Sequence, residues 1–122
     1  MEITSILLLL VMFQIKHFIA DFVLQTDYMA SNKGTFLHPG GIYHSLIQAV
    51  FSLGILLMFV DPVVAIFFSF IDLFLHYFID FFKMNINKRK CLTPHQKHFW
   101  TLLGFDQLLH QLTYLMIVLA MI

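Results

Sequence analysis

The sequence predicts an all-α fold: a bundle of four transmembrane helices with a histidine and aspartate cluster in its cytoplasmic half. Of the 122 residues, 60% are hydrophobic and only 11% are charged, whereas soluble domains are about 45–50% apolar. The mean hydropathy is +0.85. Turn and capping residues divide the chain into four long apolar segments. Histidine, aspartate and glutamine side chains recur four residues apart inside these segments, so each set follows one face of a helix.

The first predicted helix begins with an apolar run over residues 3–13. We do not expect a cleaved secretory signal here, because Glu2 is the only charged residue near this run and no small-residue cleavage site follows it. A helix-stop sequence, Ser31-Asn32-Lys33-Gly34, ends the segment. The first helix is therefore expected to cover residues 3–30.

The later helix starts are marked by an N-cap residue followed by proline. Asp61-Pro62 and Thr93-Pro94 both have this pattern, in which the side-chain oxygen caps the helix and proline fits its first turn. One domain is expected, because four spans use the whole chain. The four predicted spans are 3–30, 42–60, 62–83 and 94–122.

Basic residues predict the orientation of the bundle. Most of them fall between the third and fourth predicted helices, and one more, Lys33, falls between the first and second. With four spans these two loops share a side, which the positive-inside rule places in the cytoplasm. Both termini are then outside. The basic residues of the second loop region are Lys83, Lys88, Arg89, Lys90 and Lys97.

The polar residues of the four helices are expected to lie at a similar depth. Counted at about 1.5 Å per residue from the cytoplasmic helix ends, Asp21 and His76 are each about 10 Å deep and Asp106 about 12 Å. His44 and Gln48 lie in the first two turns of the second helix. Scattered structural polar groups have no reason to agree in this way, so the agreement favours one shared site.

A metal centre is the chemistry that this pattern favours most. A His-x3-Asp pair presents an imidazole and a carboxylate on neighbouring turns, where both can face one ion. The donors would suit one zinc ion or two divalent ions about 3.5–4 Å apart. Asp72 is the predicted proton acceptor, and Lys16 and Lys83 can offset surplus carboxylates. The predicted ligands are His17, Asp21, His44, His76, Asp80, Asp106 and His110.

Two other interpretations of the same residues remain open. The groups could form a proton or divalent-cation path, because ionisable residues inside a membrane are functional by default. They could instead be interhelical hydrogen bonds that hold the bundle together, each contributing about 0.6 kcal/mol. The outer halves of the predicted helices are nearly bare of polar residues, which argues against a path through one chain.

Several residues are expected to lie outside the site. His38 falls in a loop, and His95 and His98 flank a basic residue near the membrane interface. Cys91 is the single cysteine, so no intrachain disulfide can form. The formal net charge is zero, and no nucleic-acid partner is expected.

Five segments carry a resemblance to a known family. They are HFIADFVLQTD (17–27), MASNK (29–33), HSLI (44–47), HYFIDFFK (76–83) and DQLLH (106–110). Together they resemble the bacterial membrane family catalogued as domain of unknown function 3307. The resemblance covers essentially the whole chain and implies a small multi-pass protein of the bacterial inner membrane, without implying an activity. The pattern of histidine and aspartate residues within the membrane segments is also similar, more weakly, to that of membrane-bound metal-dependent hydrolases.

Three functions are compatible with the sequence. The first is a metal-dependent hydrolase acting on an amphiphilic substrate such as a lipid or polyprenyl phosphate at the cytoplasmic leaflet, where the Lys88–Lys90 loop could attract its headgroup. The second is transport of protons or divalent cations. The third is a non-catalytic assembly subunit. The sequence leaves self-association into a homo-oligomer open.

Overall fold

The computed structural model describes residues 1–122 and contains helices and no strands, which confirms the predicted all-α class. The first long helix, α1, ends in a π-helical turn. The short helix α2 leads into three further long helices. The elements are α1 (Ile3–Phe18), the π-helical turn (Ile19–Val23), α2 (Asp27–Asn32), α3 (Pro39–Leu56), α4 (Pro62–Arg89) and α5 (Lys97–Ala120).

The four long helices form a closed bundle. Helix α3 packs on α4, α4 on α5, α5 on α1, and α1 on α3, while α2 packs on α3. Short connections join α3 to α4 and α4 to α5, as expected for neighbouring helices that run in opposite directions. Every long helix therefore faces a shared interior.

Three stretches are long and apolar enough to cross a membrane: Ile3–Val23, Pro62–Arg89 and Lys97–Ala120. Helix α3 is not among them. It has 18 residues, or about 27 Å of helix against a hydrocarbon core of about 30 Å. Its first ten residues include Gly40, Gly41, His44 and Gln48. The fourth span and the orientation of the bundle therefore stay predictions.

The first helix does not continue to residue 30 as predicted. Residues 24–26 leave the helix, and the side chain of Thr26 accepts a hydrogen bond from the Met29 amide (3.3 Å) to cap α2. Gln25 donates to the backbone carbonyl of Asp21 (3.2 Å) and accepts from Lys33. The chain thus gains local side-chain bonds that compete with a continuous helix.

Helix α4 begins at residue 62 as predicted, but its end and the starts of α3 and α5 differ from prediction. Asp61 does cap α4, accepting from the amides of Val63 (3.0 Å) and Val64 (3.2 Å). Helix α4 runs six residues past the predicted end at 83, and Asn85 there donates to the carbonyl of Gly34 (2.8 Å). Helix α3 begins at Pro39 rather than 42, and α5 at Lys97 rather than 94.

The interior of the bundle has an apolar half and a polar half. The apolar half joins the start of α1, the end of α3, the start of α4 and the end of α5. The polar half contains the buried histidines and aspartates. The apolar core comprises Leu9, Phe13, Ile55, Leu56, Ala65, Tyr114, Ile117 and Val118.

Two glycines allow the segment after α1 to lie tightly against α3. A Cβ atom on Gly40 would stand 2.8 Å from the carbonyl oxygen of Tyr28, and one on Gly41 would stand 3.0 Å from the Cα atom of Lys33. This close approach brings Lys33, which follows α2, to the polar half of the bundle.

Candidate metal centre

Four buried side chains bring four donor atoms to one place in the polar half. Nε2 of His44 lies 3.1 Å from Nε2 of His76, and Oδ2 of Asp80 lies 3.3 Å from each of them. Oδ1 of Asp21 lies 3.0 Å from Nε2 of His44 and 3.7 Å from Nε2 of His76. These four residues come from the π-helical turn, α3 and α4, so the predicted convergence of separate helices occurs.

The spacing of these atoms is that of ligands around a single ion. Zinc binds imidazole nitrogen and carboxylate oxygen at about 2.0–2.2 Å in a tetrahedral arrangement, which separates the ligand atoms by roughly 3.3–3.6 Å. The five distances above lie between 3.0 and 3.7 Å. The donor atoms of His44, His76 and Asp80 all lie within 4.8 Å of one another, and small movements would bring them to one ion with Oδ1 of Asp21 beside the two imidazoles.

Asp80 supplies a further sign that donor atoms converge here. Its Oδ2 is buried and accepts no aligned hydrogen bond, although two imidazole nitrogens lie 3.3 Å away and the Lys33 ammonium lies 3.4 Å away. The ammonium offsets the charge of this oxygen, and a shared cation would supply the direct partner that it lacks.

The imidazole rings of His44 and His76 make their polar contacts through Nε2. Nδ1 of His44 and Nδ1 of His76 are buried without a hydrogen-bond partner, although metal-binding histidines usually donate from the second nitrogen. Packing and the carboxylates of Asp21 and Asp80 therefore set the orientation of these rings.

A further group of donors adjoins the first. Nε2 of His110 lies 3.2 Å from Oδ1 of Asp80 and 3.1 Å from Oδ1 of Asp106. The rings of His110 and His76 stack with centroids 4.1 Å apart. Asp80 thus presents one carboxylate oxygen to each group.

The π-helical turn positions Asp21 for this role. Its wider turn is closed by the Leu24 amide donating to the Ile19 carbonyl, five residues back (2.9 Å), and such turns are frequent at functional sites. Gln48 of α3 donates to Oδ1 of Asp21 (2.6 Å). Asp21 is therefore fixed by both its backbone and its carboxylate.

His17 lies at the edge of the cluster with both ring nitrogens in contact with protein groups. Nε2 is 2.7 Å from Oε1 of Gln107 and 3.2 Å from Oδ2 of Asp21. Since an amide oxygen only accepts, Nε2 carries the proton, and Nδ1 accepts from the Tyr114 hydroxyl (2.8 Å). His17 thus lies beside Asp21 with both ring nitrogens bonded to other groups, and its predicted ligand role stays a prediction that these bonds do not support.

Asp72 does not join the cluster. Its Oδ2 accepts from Nζ of Lys16 (2.6 Å) and from the hydroxyl of Ser52 (2.5 Å). The Lys16 ammonium also lies 4.5 Å from the centroid of the Tyr114 ring. The sequence predicted that Lys16 offsets a surplus carboxylate, and in the structure that carboxylate is Asp72. The role of Asp72 as a base stays a prediction without geometric support.

Two lysines offset part of the negative charge of the cluster. Nζ of Lys33 lies 3.4 Å from Oδ2 of Asp80, and Nζ of Lys83 lies 3.9 Å from Oδ2 of Asp106. Burial lowers the pKa of Lys33, but the carboxylates, chiefly that of Asp80, outweigh it and hold this pKa above its ordinary value. With Asp21, the cluster has three carboxylates against two ammonium groups, which leaves one negative charge when the histidines are neutral.

The histidines expected outside the site do lie outside it. His38 caps α3, accepting from the Gly40 amide (3.1 Å), and His95 and His98 are exposed. Lys33 is the participant that the sequence analysis missed, because it served there only as a basic loop residue for the orientation of the bundle, whereas the structure places it beside Asp80. Nothing in the local pattern marks it as buried.

Removing the Tyr114 hydroxyl should destabilise the bundle modestly. In Tyr114→Phe, Nδ1 of His17 loses its hydrogen-bond donor (2.8 Å), and the unfolding free energy should fall by about 1–3 kcal/mol. Denaturant titration in detergent measures this loss. The exposed Tyr43 provides the control, since Tyr43→Phe should change little. Equal effects of the two substitutions would contradict the assignment of this hydrogen bond.

Comparison with known proteins places the chain in a family. Neither the curated proteins nor the solved structures yield a match. Residues 9–122 match the family described as "Protein of unknown function (DUF3307)", as the sequence segments quoted above led us to expect. The chain therefore belongs to this family.

Proposed function

We propose that this protein is a metal-dependent membrane hydrolase whose ion is held by Asp21, His44, His76 and Asp80. The convergence of two imidazole nitrogens and two carboxylate oxygens at 3.0–3.7 Å carries the proposal. All four residues are buried.

The donor set favours zinc or a similar first-row ion. Calcium takes six to eight oxygen ligands and magnesium keeps several waters, whereas zinc accepts a tetrahedral mixture of nitrogen and oxygen. Divalent ions supply Lewis acidity, which makes water a nucleophile at neutral pH. The protein fixes the donors, and Gln48 and His17 hold the Asp21 carboxylate in place.

An amphiphilic substrate fits the surroundings of the site. An apolar groove of about 290 Å³ follows the α3–α4 seam and is lined by Ser45 and Tyr77, the residues next to His44 and His76. A hydrocarbon chain could lie in this groove, one residue along each helix from His44 and His76. The exposed Lys88–Lys90 segment favours an anionic headgroup. A lipid or polyprenyl phosphate combines these features.

Transport is less well supported. A path for ions needs polar groups through the full thickness of the membrane, but the other half of the bundle is filled by the apolar core. The Lys16–Asp72 ion pair borders that core, with the Lys16 ammonium 4.5 Å from the centroid of the Tyr114 ring. Location in a bacterial inner membrane is part of the proposal, supported by the three membrane-spanning candidates.

Hydrolysis assays with and without metal test the proposed function. Chelator-treated protein in liposomes should cleave a prenyl phosphate only after zinc or manganese is restored, and it should act poorly on water-soluble p-nitrophenyl phosphate. His98→Ala, which alters an exposed histidine, should behave as wild type. Metal-loaded protein that cleaves neither membrane phosphates nor membrane esters would refute the hydrolase proposal.

A further inference from the structure

The second donor group forms a metal site in its own right. We propose that Asp80, Asp106 and His110 bind a second divalent ion, bridged to the first by the Asp80 carboxylate, and that this ion receives a phosphate oxygen of the substrate. The inference rests on the proposed metal centre and extends it to a pair of ions with different tasks.

The geometry of this second site repeats that of the first. Nε2 of His110 lies 3.1 Å from Oδ1 of Asp106 and 3.2 Å from Oδ1 of Asp80. Oδ1 of Asp106 is buried and accepts no hydrogen bond, even with that nitrogen so close. An unpartnered carboxylate oxygen, on a residue that is 3% exposed, therefore points into the site.

The number of protein donors separates the two sites. The first has four, so water can join its ion only if the coordination expands to five, as catalytic zinc sites sometimes do. The second has three, which leaves one coordination position for water or substrate, as in catalytic zinc sites. One oxygen of Asp80 serves each site, and ions bridged in this way lie about 3.5–4 Å apart.

Charge identifies the ligand that would complete the pair. Two divalent ions would add four positive charges to a cluster whose net charge is −1 when Lys33 and Lys83, within 4 Å of Asp80 and Asp106, are counted. The resulting excess of three positive charges favours an anionic ligand, which would offset it. A phosphate group does so and offers two oxygens to two ions, which narrows the proposed substrate class to phosphate esters of amphiphiles.

Metal stoichiometry tests the second site. Metal-free protein reconstituted with zinc and desalted should retain two ions per chain, and Asp106→Asn should retain one. His98→Ala should retain two. A wild type that holds one ion, unaffected by Asp106→Asn, would overturn the second site and leave the first intact. A wild type that holds none would overturn both.

Two measurements on the wild type keep the test independent of how the variant folds. X-ray absorption of the zinc-loaded protein should show a metal–metal distance of about 3.5–4 Å, and a spectrum without this distance would contradict the bridged pair. Calorimetric titration with inorganic phosphate should detect binding to the two-ion protein and at least tenfold weaker binding after chelation. Equal binding in both states would contradict the assignment of the ligand.

Discussion

Asp72→Asn is expected to lower the unfolding free energy by about 3–5 kcal/mol, because it leaves the Lys16 ammonium charged and unpaired inside the bundle. Lys16 is only 2% exposed and Asp72 only 1%. Their 2.6 Å ion pair is reinforced by the Ser52 hydroxyl. Replacing both partners with apolar residues of similar size should restore most of the stability. Removing both buried charges destabilises a protein less than leaving one charge without its partner.

Denaturant titration of Asp72→Asn and of the double variant Lys16→Met/Asp72→Leu in detergent measures this difference. Asp27 is exposed at the start of α2, so Asp27→Asn serves as the matched control and should shift stability by less than about 1 kcal/mol. Both Asp72 variants should retain the bound metal. Loss of metal with unchanged stability would instead restore Asp72 to the metal site.

His76→Ala is expected to empty the first metal site, so that the purified protein retains at most one ion per chain, held by Asp80, Asp106 and His110. Nε2 of His76 lies within 3.1–3.7 Å of donor atoms on His44, Asp80 and Asp21, so its removal leaves at most three donors at the first ion. Its loss should weaken metal affinity by at least the roughly 10–100-fold typical of changes in the residues around ligands.

Elemental analysis after desalting, paired with circular dichroism, checks this result. His98→Ala removes an exposed histidine and should keep its metal. His76→Gln fills more of the vacated space and tests the same point if the alanine variant folds poorly. A folded His76→Gln protein with full metal content would contradict the assigned site.

The four-residue spacing in the sequence was sufficient to predict most of the cluster. Asp21, His44, His76, Asp80, Asp106 and His110 all fall in the potential metal-binding groups of the structure. Helical periodicity orients each pair, and membrane burial forces the pairs towards one another. The N-cap of α4 at Asp61 could also be predicted, because it depends only on neighbouring residues.

Other features depend on contacts between distant segments and could not be read from the pattern. The π-helical turn at Asp21 and the break after it are stabilised by Gln48 and Lys33, which lie further along the chain. His17 has the same spacing as the ligands, yet Tyr114 and Gln107 occupy both its nitrogens. Asp72 is also four residues from His76, but it lies one helical turn nearer the start of α4, where it pairs with Lys16.

X-ray absorption of wild-type protein loaded with one equivalent of zinc tests the metal centre most directly. We predict four nitrogen and oxygen ligands at about 2.0–2.2 Å, with the outer-shell scattering of two imidazole rings from His44 and His76. Zinc that is lost on desalting, or zinc surrounded by oxygen alone without imidazole scattering, would contradict the account.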